Sequence, residues 1–326
     1  MIKILILGSN SFSGNHLINF LINKNFKIIG CSLSSQSSKR FNAVSKKLKK
    51  QFIFYKLDIN KNFYYLKKII LKHKPKIIVD FLGQGMVAES WQHPALTFNT
   101  NVIGKIKLYE FLKKKIFLKK YIKISTPEIF GSSRITSVNF NKHNPSTPYA
   151  LSHSVIEKYL ELIREQFLFP VIISRFANFY GPYQKLYRLI PLAIHKASSK
   201  KKFELHGGGS SRRSFIYSED FCNGILKIIK KGKPGQFYQF ASKEYRSIRE
   251  IVNIIYRKYN LNPKKYIKIV SDRQGKDKDY KINDLDTRKR LNWKNNFNLD
   301  DGINKTIEWY EKFKRQFNTK DEKFEI

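Results

Sequence analysis

The chain has 326 residues, with 63 Lys and Arg against 25 Asp and Glu, a formal net charge of +38 and a hydrophobic fraction of 41%. That length suits one large or two modest domains with a sizeable core. The two cysteines, Cys31 and Cys222, are too few for a disulfide framework and fit no metal-ligand spacing. The first apolar run stops at Leu7, and no later run approaches the roughly 18 residues that a membrane span needs. The expectation is a soluble, cytoplasmic protein with no membrane insertion. The basic charge is spread in short runs such as Lys46-Lys47-Leu48-Lys49-Lys50, amid abundant Asn, Ile, Phe and Tyr, and no nucleic-acid-binding motif accompanies it. No specific nucleic-acid partner is therefore expected, although such a field favours any diphosphate.

In chain order, Ile2 to Leu7 reads as a buried strand ending at a glycine turn, and Asn15 to Phe26 as a helix. Strands follow at Phe26 to Cys31, Gln51 to Leu57 and Lys76 to Leu82. Pro94 to Lys115 reads as one long helix, Tyr121 to Ser125 as a strand, Pro148 to Phe167 as a helix and Val171 to Phe176 as a strand. This alternation predicts an α/β fold with a doubly wound parallel sheet, a Rossmann architecture. Residues 1–180 are assigned to a dinucleotide-binding domain. Residues 181–326 form mainly a smaller α/β substrate domain, with some segments returning to the first. Leu299 to Phe317 reads as a final helix, and the charged tail from Asn318 as frayed.

The segment Gly8-Ser-Asn-Ser11-Phe12-Ser-Gly14 lies between the first strand and the first helix. Gly8 permits the tight turn, Gly14 permits close packing of helix on strand, and the helix amides attract a pyrophosphate. Ser11 stands where a strict fingerprint has a second glycine. The second strand ends without the acid that grips an NAD ribose. Ser32, Ser34 and Ser35 stand there with Lys39 and Arg40 nearby, which leaves NAD and NADP both open. Asp58, closing the third strand, is a candidate adenine contact.

Further motifs follow in order: Val79-Asp-Phe-Leu82-Gly83-Gln84, Asn99-Thr-Asn101, Ile124-Ser-Thr126-Pro-Glu128-Ile-Phe-Gly131, Pro145-Ser-Thr-Pro-Tyr149-Ala-Leu-Ser-His153, Arg175-Phe-Ala-Asn178, Gly207 to Arg213, Asp272-Arg273-Gln-Gly275, Leu291-Asn-Trp293 and Trp309-Tyr310. Together they span nearly the whole chain and resemble the extended short-chain dehydrogenases that act on nucleotide sugars. The nearest resemblance is to dTDP-glucose 4,6-dehydratase, with GDP-mannose 4,6-dehydratase close behind. The resemblance implies an enzyme that oxidises C4 of a nucleotide-diphosphate sugar, removes water across C5 and C6, and returns the hydride to C6. Its NAD or NADP would be tightly bound and recycled in each turnover.

Within that resemblance, Tyr149 is the base for the C4 hydroxyl and Thr126 orients the same oxygen. Glu128, two residues along a strand from Thr126 and so on its face, takes the C5 proton. A 4-epimerase needs no carboxylate there. Leu82, Gly83, Asn101, Tyr149 and His153 are expected at the cofactor, and Gln84, Asn178, Arg213 and Arg273 at the sugar nucleotide. Two positions depart from the family. Pro127 stands where the dTDP-glucose branch has an Asp that protonates the leaving hydroxyl. His153 stands where the family has the Lys that holds the nicotinamide ribose and lowers the Tyr pKa. The rivals are an epimerase or decarboxylase of the same fold, and a catalytically impaired cofactor-binding homologue. A homodimer through the Pro94–Lys115 and Pro148–Phe167 helices is the expected assembly.

Overall fold

The computed structural model describes residues 1–22, 24–35, 38–44, 52–136, 142–272 and 279–324. Its centre is a seven-stranded, wholly parallel sheet. The strands lie in the order Phe237–Phe240, Val171–Phe176, Lys120–Ser125, Ile77–Asp80, Ile2–Leu7, Phe26–Ser32 and Phe52–Lys56. Strict alternation in the first strand feeds two cores. Ile4 and Ile6 pack with the helices Phe12–Ile22 and Ser218–Lys231, while Leu5 and Leu7 pack with Phe63–His73, Gly104–Leu112 and Pro148–Phe167. The chain builds outward from Ile2–Leu7 in one direction, then returns to place Ile77–Asp80 on its other side. That reversal opens a crevice at the carboxyl ends of the two strands, where Leu7 faces Asp80.

The later residues form a third core around the helices Leu189–Ser198, Ile248–Lys258 and Leu299–Phe313. A small sheet places Tyr245–Ser247 beside Arg212–Tyr217 beside Asn178–Tyr180. The segment that returns to the large sheet is Phe237–Phe240, which takes its edge beside Val171–Phe176.

Three expectations need correction. The first helix begins at Phe12 rather than Asn15, because Ser11 caps it: Ser11 Oγ accepts from the Gly14 amide at 3.1 Å. The Pro94–Lys115 helix is not continuous. It runs Pro94–Phe98, makes one π-helical turn over Asn99–Ile103, and resumes as Gly104–Leu112. The Asn101 side chain is drawn out of register there to tie Gln84 and Ser152. The tail is docked rather than frayed. Thr319–Glu322 forms a 3-10 turn capped by Asn318, Asp321 pairs with Arg40 at 2.9 Å, and Glu322 pairs with Lys196 at 2.5 Å.

Candidate active site

Gly8 has φ +75°, and a Cβ there would meet the backbone of Phe81 and Leu82 at 2.9 Å. A Cβ on Gly14 would meet the Gly8 carbonyl oxygen at 2.5 Å. The chain thus turns directly under the Phe81–Leu82 loop, and only glycine passes. Ser11 performs two tasks where a second glycine was expected. Its hydroxyl donates to the Gly8 carbonyl at 2.6 Å and accepts from Gly14. The Asn15 amide bonds the Ser11 carbonyl, which leaves Phe12 and Ser13 as first-turn amides with no intrahelical acceptor. Such a turn fits a pyrophosphate.

At the end of the second strand Ser32 is buried. Lys39 is exposed. Arg40, by contrast, is committed elsewhere: it pairs with Asp321 and lies over the Phe41 and Phe317 rings. Asp58 Oδ1 accepts from the Asn60 amide at 2.8 Å and starts the turn into the next helix. Gly83 and half-buried Gln84 form a loop that Asn101 fastens: Asn101 Oδ1 accepts from the Gln84 amide (2.8 Å), and its Nδ2 donates to the Gln84 carbonyl (3.1 Å) and to Ser152 Oγ (3.0 Å). Asn101 is thereby a buried tie between loop and helix, its amide group used within the protein.

Thr126, Glu128, Tyr149 and His153 come together, although not by strand alternation. The strand stops at Ser125, and Thr126 caps a 3-10 turn over Pro127–Phe130, its Oγ1 accepting from the Glu128 amide at 3.2 Å. The turn, not the strand, swings the Glu128 carboxylate toward Tyr149. Thr147 caps the Pro148–Phe167 helix by accepting from the Ala150 amide, with Pro148 at its first position. Tyr149 is next, its own amide held by Ser90 Oγ at 3.1 Å. Thr126 favours the ionised form of the Tyr149 hydroxyl. Burial, reinforced by the Glu128 charge, pushes the phenol above its ordinary range, while Thr126 and the Arg188 guanidinium pull it back. The His153 ring meets Tyr149 edge-on, with centroids 4.7 Å apart. Burial, then Lys123 and Lys105, hold its imidazole well below the usual pKa, so it is neutral at physiological pH. His153 therefore carries no charge to replace the family's lysine.

Asn178 pairs with Phe215 across the small sheet, two residues from Arg213 and on the same face. Asn178 is exposed and Arg213 is buried. Arg273 lies outside the described residues. Sequence reasoning passed over Ser90, Arg188 and the buried group Asp80, Lys105 and Lys123. Arg188 stands before a helix with Leu and Ile, where an arginine reads as solvated. The lysines are two among many.

This sheet, glycine turn and Thr–Glu–Tyr cluster define a nucleotide-sugar epimerase/dehydratase of the extended short-chain dehydrogenase class. The family described as GDP-mannose 4,6 dehydratase matches residues 5–306, and the chain belongs to that family. The human dTDP-D-glucose 4,6-dehydratase is 28% identical over 321 residues, covering 94% of this chain and 89% of that protein. The NAD complex of dTDP-glucose 4,6-dehydratase from Bacillus anthracis superposes with a TM-score of 0.86 at 28% identity, covering 97% of this chain and 98% of that one. A UDP-glucose 4-epimerase from Thermotoga maritima shares the fold, with a TM-score of 0.84 at 22% identity over 95% and 99% of the two chains.

Among the described residues no helix is long and apolar enough to cross a membrane, and no cluster of His, Cys, Asp and Glu could hold a metal ion.

Proposed function

We propose that the chain is an NAD-dependent nucleotide-sugar 4,6-dehydratase, making a 4-keto-6-deoxy sugar nucleotide from a substrate of the dTDP-glucose or GDP-mannose type. The observation that carries this reading is the convergence of a carboxylate, Glu128, on Thr126 and Tyr149. Oxidation at C4 alone would use the pair. The carboxylate has work only if a proton leaves C5.

When bound, NAD supplies a hydride acceptor for C4, a hydride donor for C6 and a positive ring that favours the Tyr149 phenolate. Tyr149 takes the C4 hydroxyl proton while Thr126 holds the oxygen in line. The C4 ketone acidifies the C5 proton, which Glu128 removes. The C6 hydroxyl then leaves as water with the proton from Glu128, since Pro127 offers none. Reduction at C6 and a proton from solvent at C5 would complete the cycle as Tyr149 releases its proton to solvent, so the net change is loss of one water. Two groups help Tyr149 to ionise before any ligand arrives, Thr126 and Arg188, against burial and Glu128.

Gly8, Ser11, Phe12 and Gly14 would hold the pyrophosphate, with Ser32 and Asp58 on the adenosine side and Leu82 and Gly83 on the nicotinamide side. NAD is favoured over NADP because Arg40, the arginine nearest the ribose strand in sequence, is held by Asp321 and two rings. Gln84, Asn178, Arg213 and Arg273 are proposed for the sugar diphosphate, with residues 1–180 as the cofactor domain and 181–326 mainly as the substrate domain. Exposed Leu96, Ile103, Leu151, Val155, Leu162 and Phe167 on the two helical segments support a homodimer through them. The unpaired, buried Cys31 and Cys222 suit a reducing compartment such as the cytoplasm.

The neutral His153 favours one rival, a cofactor-binding homologue with little turnover. Incubating the protein with NAD and dTDP-glucose, GDP-mannose or UDP-glucose, with products read by mass spectrometry and proton NMR, separates them. Loss of one water and a new 6-methyl signal support the dehydratase. Unchanged mass with altered ring stereochemistry supports an epimerase, and no change with retained NAD binding supports the rival.

A further inference from the structure

Beneath the crevice lies a buried charge cluster that the reaction above does not use. Asp80 ends the central strand opposite Leu7, at the reversal of the sheet, and has no exposed surface. Its Oδ1 accepts from Lys105 Nζ and from the Leu82 amide at 3.1 Å, and its Oδ2 from the Tyr121 hydroxyl at 2.6 Å. These donors occupy the carboxylate. Lys123 Nζ stands 3.9 Å from Oδ2, outside hydrogen-bond range. Lys105 is wholly enclosed, whereas Lys123 keeps 3% of its surface. One carboxylate thus faces two ammonium groups, and a purely structural ion pair needs only one. The surplus charge belongs to Lys123, the less committed lysine.

The facing helix carries a matching gap. Lys123 lies two residues after Tyr121, so it points to the sheet face that the Pro148–Phe167 helix covers with Ile156 and Leu160. His153 is on that helix, 9% exposed, and its buried Nδ1 has no hydrogen-bond partner. Both lysines repel a proton from it. Neither lysine is among the charges that act on Tyr149. An under-coordinated ammonium on the strand and an orphaned imidazole nitrogen on the helix that covers it therefore share the layer between sheet and helix, the imidazole beside Tyr149.

We propose that Lys123 is a cofactor-binding residue: its ammonium, steadied from below by Asp80, joins neutral His153 in holding the hydroxyls of the nicotinamide-side ribose. The inference rests on the NAD-dependent reading above. It moves the cation from the helix to the strand beneath it.

NADH fluorescence gives the affinity of the full-length protein, and ADP, which lacks the nicotinamide-side ribose, serves as the control ligand. Lys123→Met is expected to weaken NADH binding about tenfold or more, with ADP affinity and melting temperature preserved because Asp80 keeps Lys105 and Tyr121. Adding His153→Lys in that background restores NADH affinity to within about threefold. Should the methionine variant not fold, Lys123→Gln carries the same expectations. Unchanged NADH affinity in either variant, beside normal wild-type binding, overturns this inference alone, as does an equal loss for NADH and ADP. A wild-type protein that binds no NADH overturns it together with the NAD-dependent reading.

Discussion

The rim of the crevice and its floor handle charge differently. At the rim, Glu128 is half-buried and sits beside a phenol and a hydroxyl, groups whose protonation can change during a reaction. At the floor, Asp80, Lys105 and Tyr121 are sealed into the sheet, and Lys123 beside them keeps 3% of its surface. There the Asp80 carboxyl is held below its ordinary range by the two lysines and their hydrogen-bonding neighbours, against the cost of burial. Lys105 is pushed down to about 8 because burial outweighs its pairing with Asp80. The rim is arranged to exchange protons with a substrate, and the floor to pair buried charges.

Breaking the floor should have the larger effect on stability. Asp80→Asn leaves two buried ammonium groups without a carboxylate and is expected to cost about 3–5 kcal/mol, measured by urea unfolding. A cost below about 1 kcal/mol would mean that the cluster is hydrated rather than sealed. Breaking the rim should spare the fold and remove turnover. Tyr149→Phe is expected to lower kcat by about 10²–10⁴-fold, with melting temperature and NADH affinity nearly unchanged. A loss of folding in this variant would show that the phenol is mainly a packing element.

Acid sharpens the contrast across the whole chain. His16, pushed down to about 4, and His73, His143, His153 and His195 all have lowered pKa values, with burial the leading cause. In the unfolded chain these imidazoles take up protons below about 6.5, and in the folded chain burial shifts that uptake to lower pH. Stability should therefore fall as pH drops from about 6.5 toward 4, before the carboxylates titrate. Urea midpoints that stay flat over that interval would contradict the burial of these rings. The smallest effect is expected at the tail. Asp321→Asn frees Arg40 and should cost under about 1 kcal/mol, while NADP affinity rises relative to NAD in a competition assay.

The parallel sheet was legible because Ile4 and Ile6 alternate with Leu5 and Leu7, and because Gly8 and Gly14 punctuate the turn into the first helix. The start of the Pro148–Phe167 helix was legible from Thr147 and Pro148. The rim was legible in its residues but not in its geometry, since a 3-10 turn carries Glu128 where strand alternation was expected to. The floor was hidden. Asp80 and Lys105 are 25 residues apart and meet only after a π-helical turn and a sheet register are set. In a chain this rich in lysine, nothing local marks Lys105 or Lys123 as buried. The docked tail was missed for a similar reason: Asp321 and Glu322 find Arg40 and Lys196, partners far away in sequence.

The most direct test of the central claim is product mass from dTDP-glucose, GDP-mannose and UDP-glucose with wild-type protein and Glu128→Gln. The account predicts loss of one water from one substrate with the wild type, and none with Glu128→Gln although that variant still binds NADH and the sugar nucleotide. Undiminished water loss from Glu128→Gln would contradict the role of the carboxylate, and unchanged mass with every substrate in the wild type would contradict dehydration of these sugars.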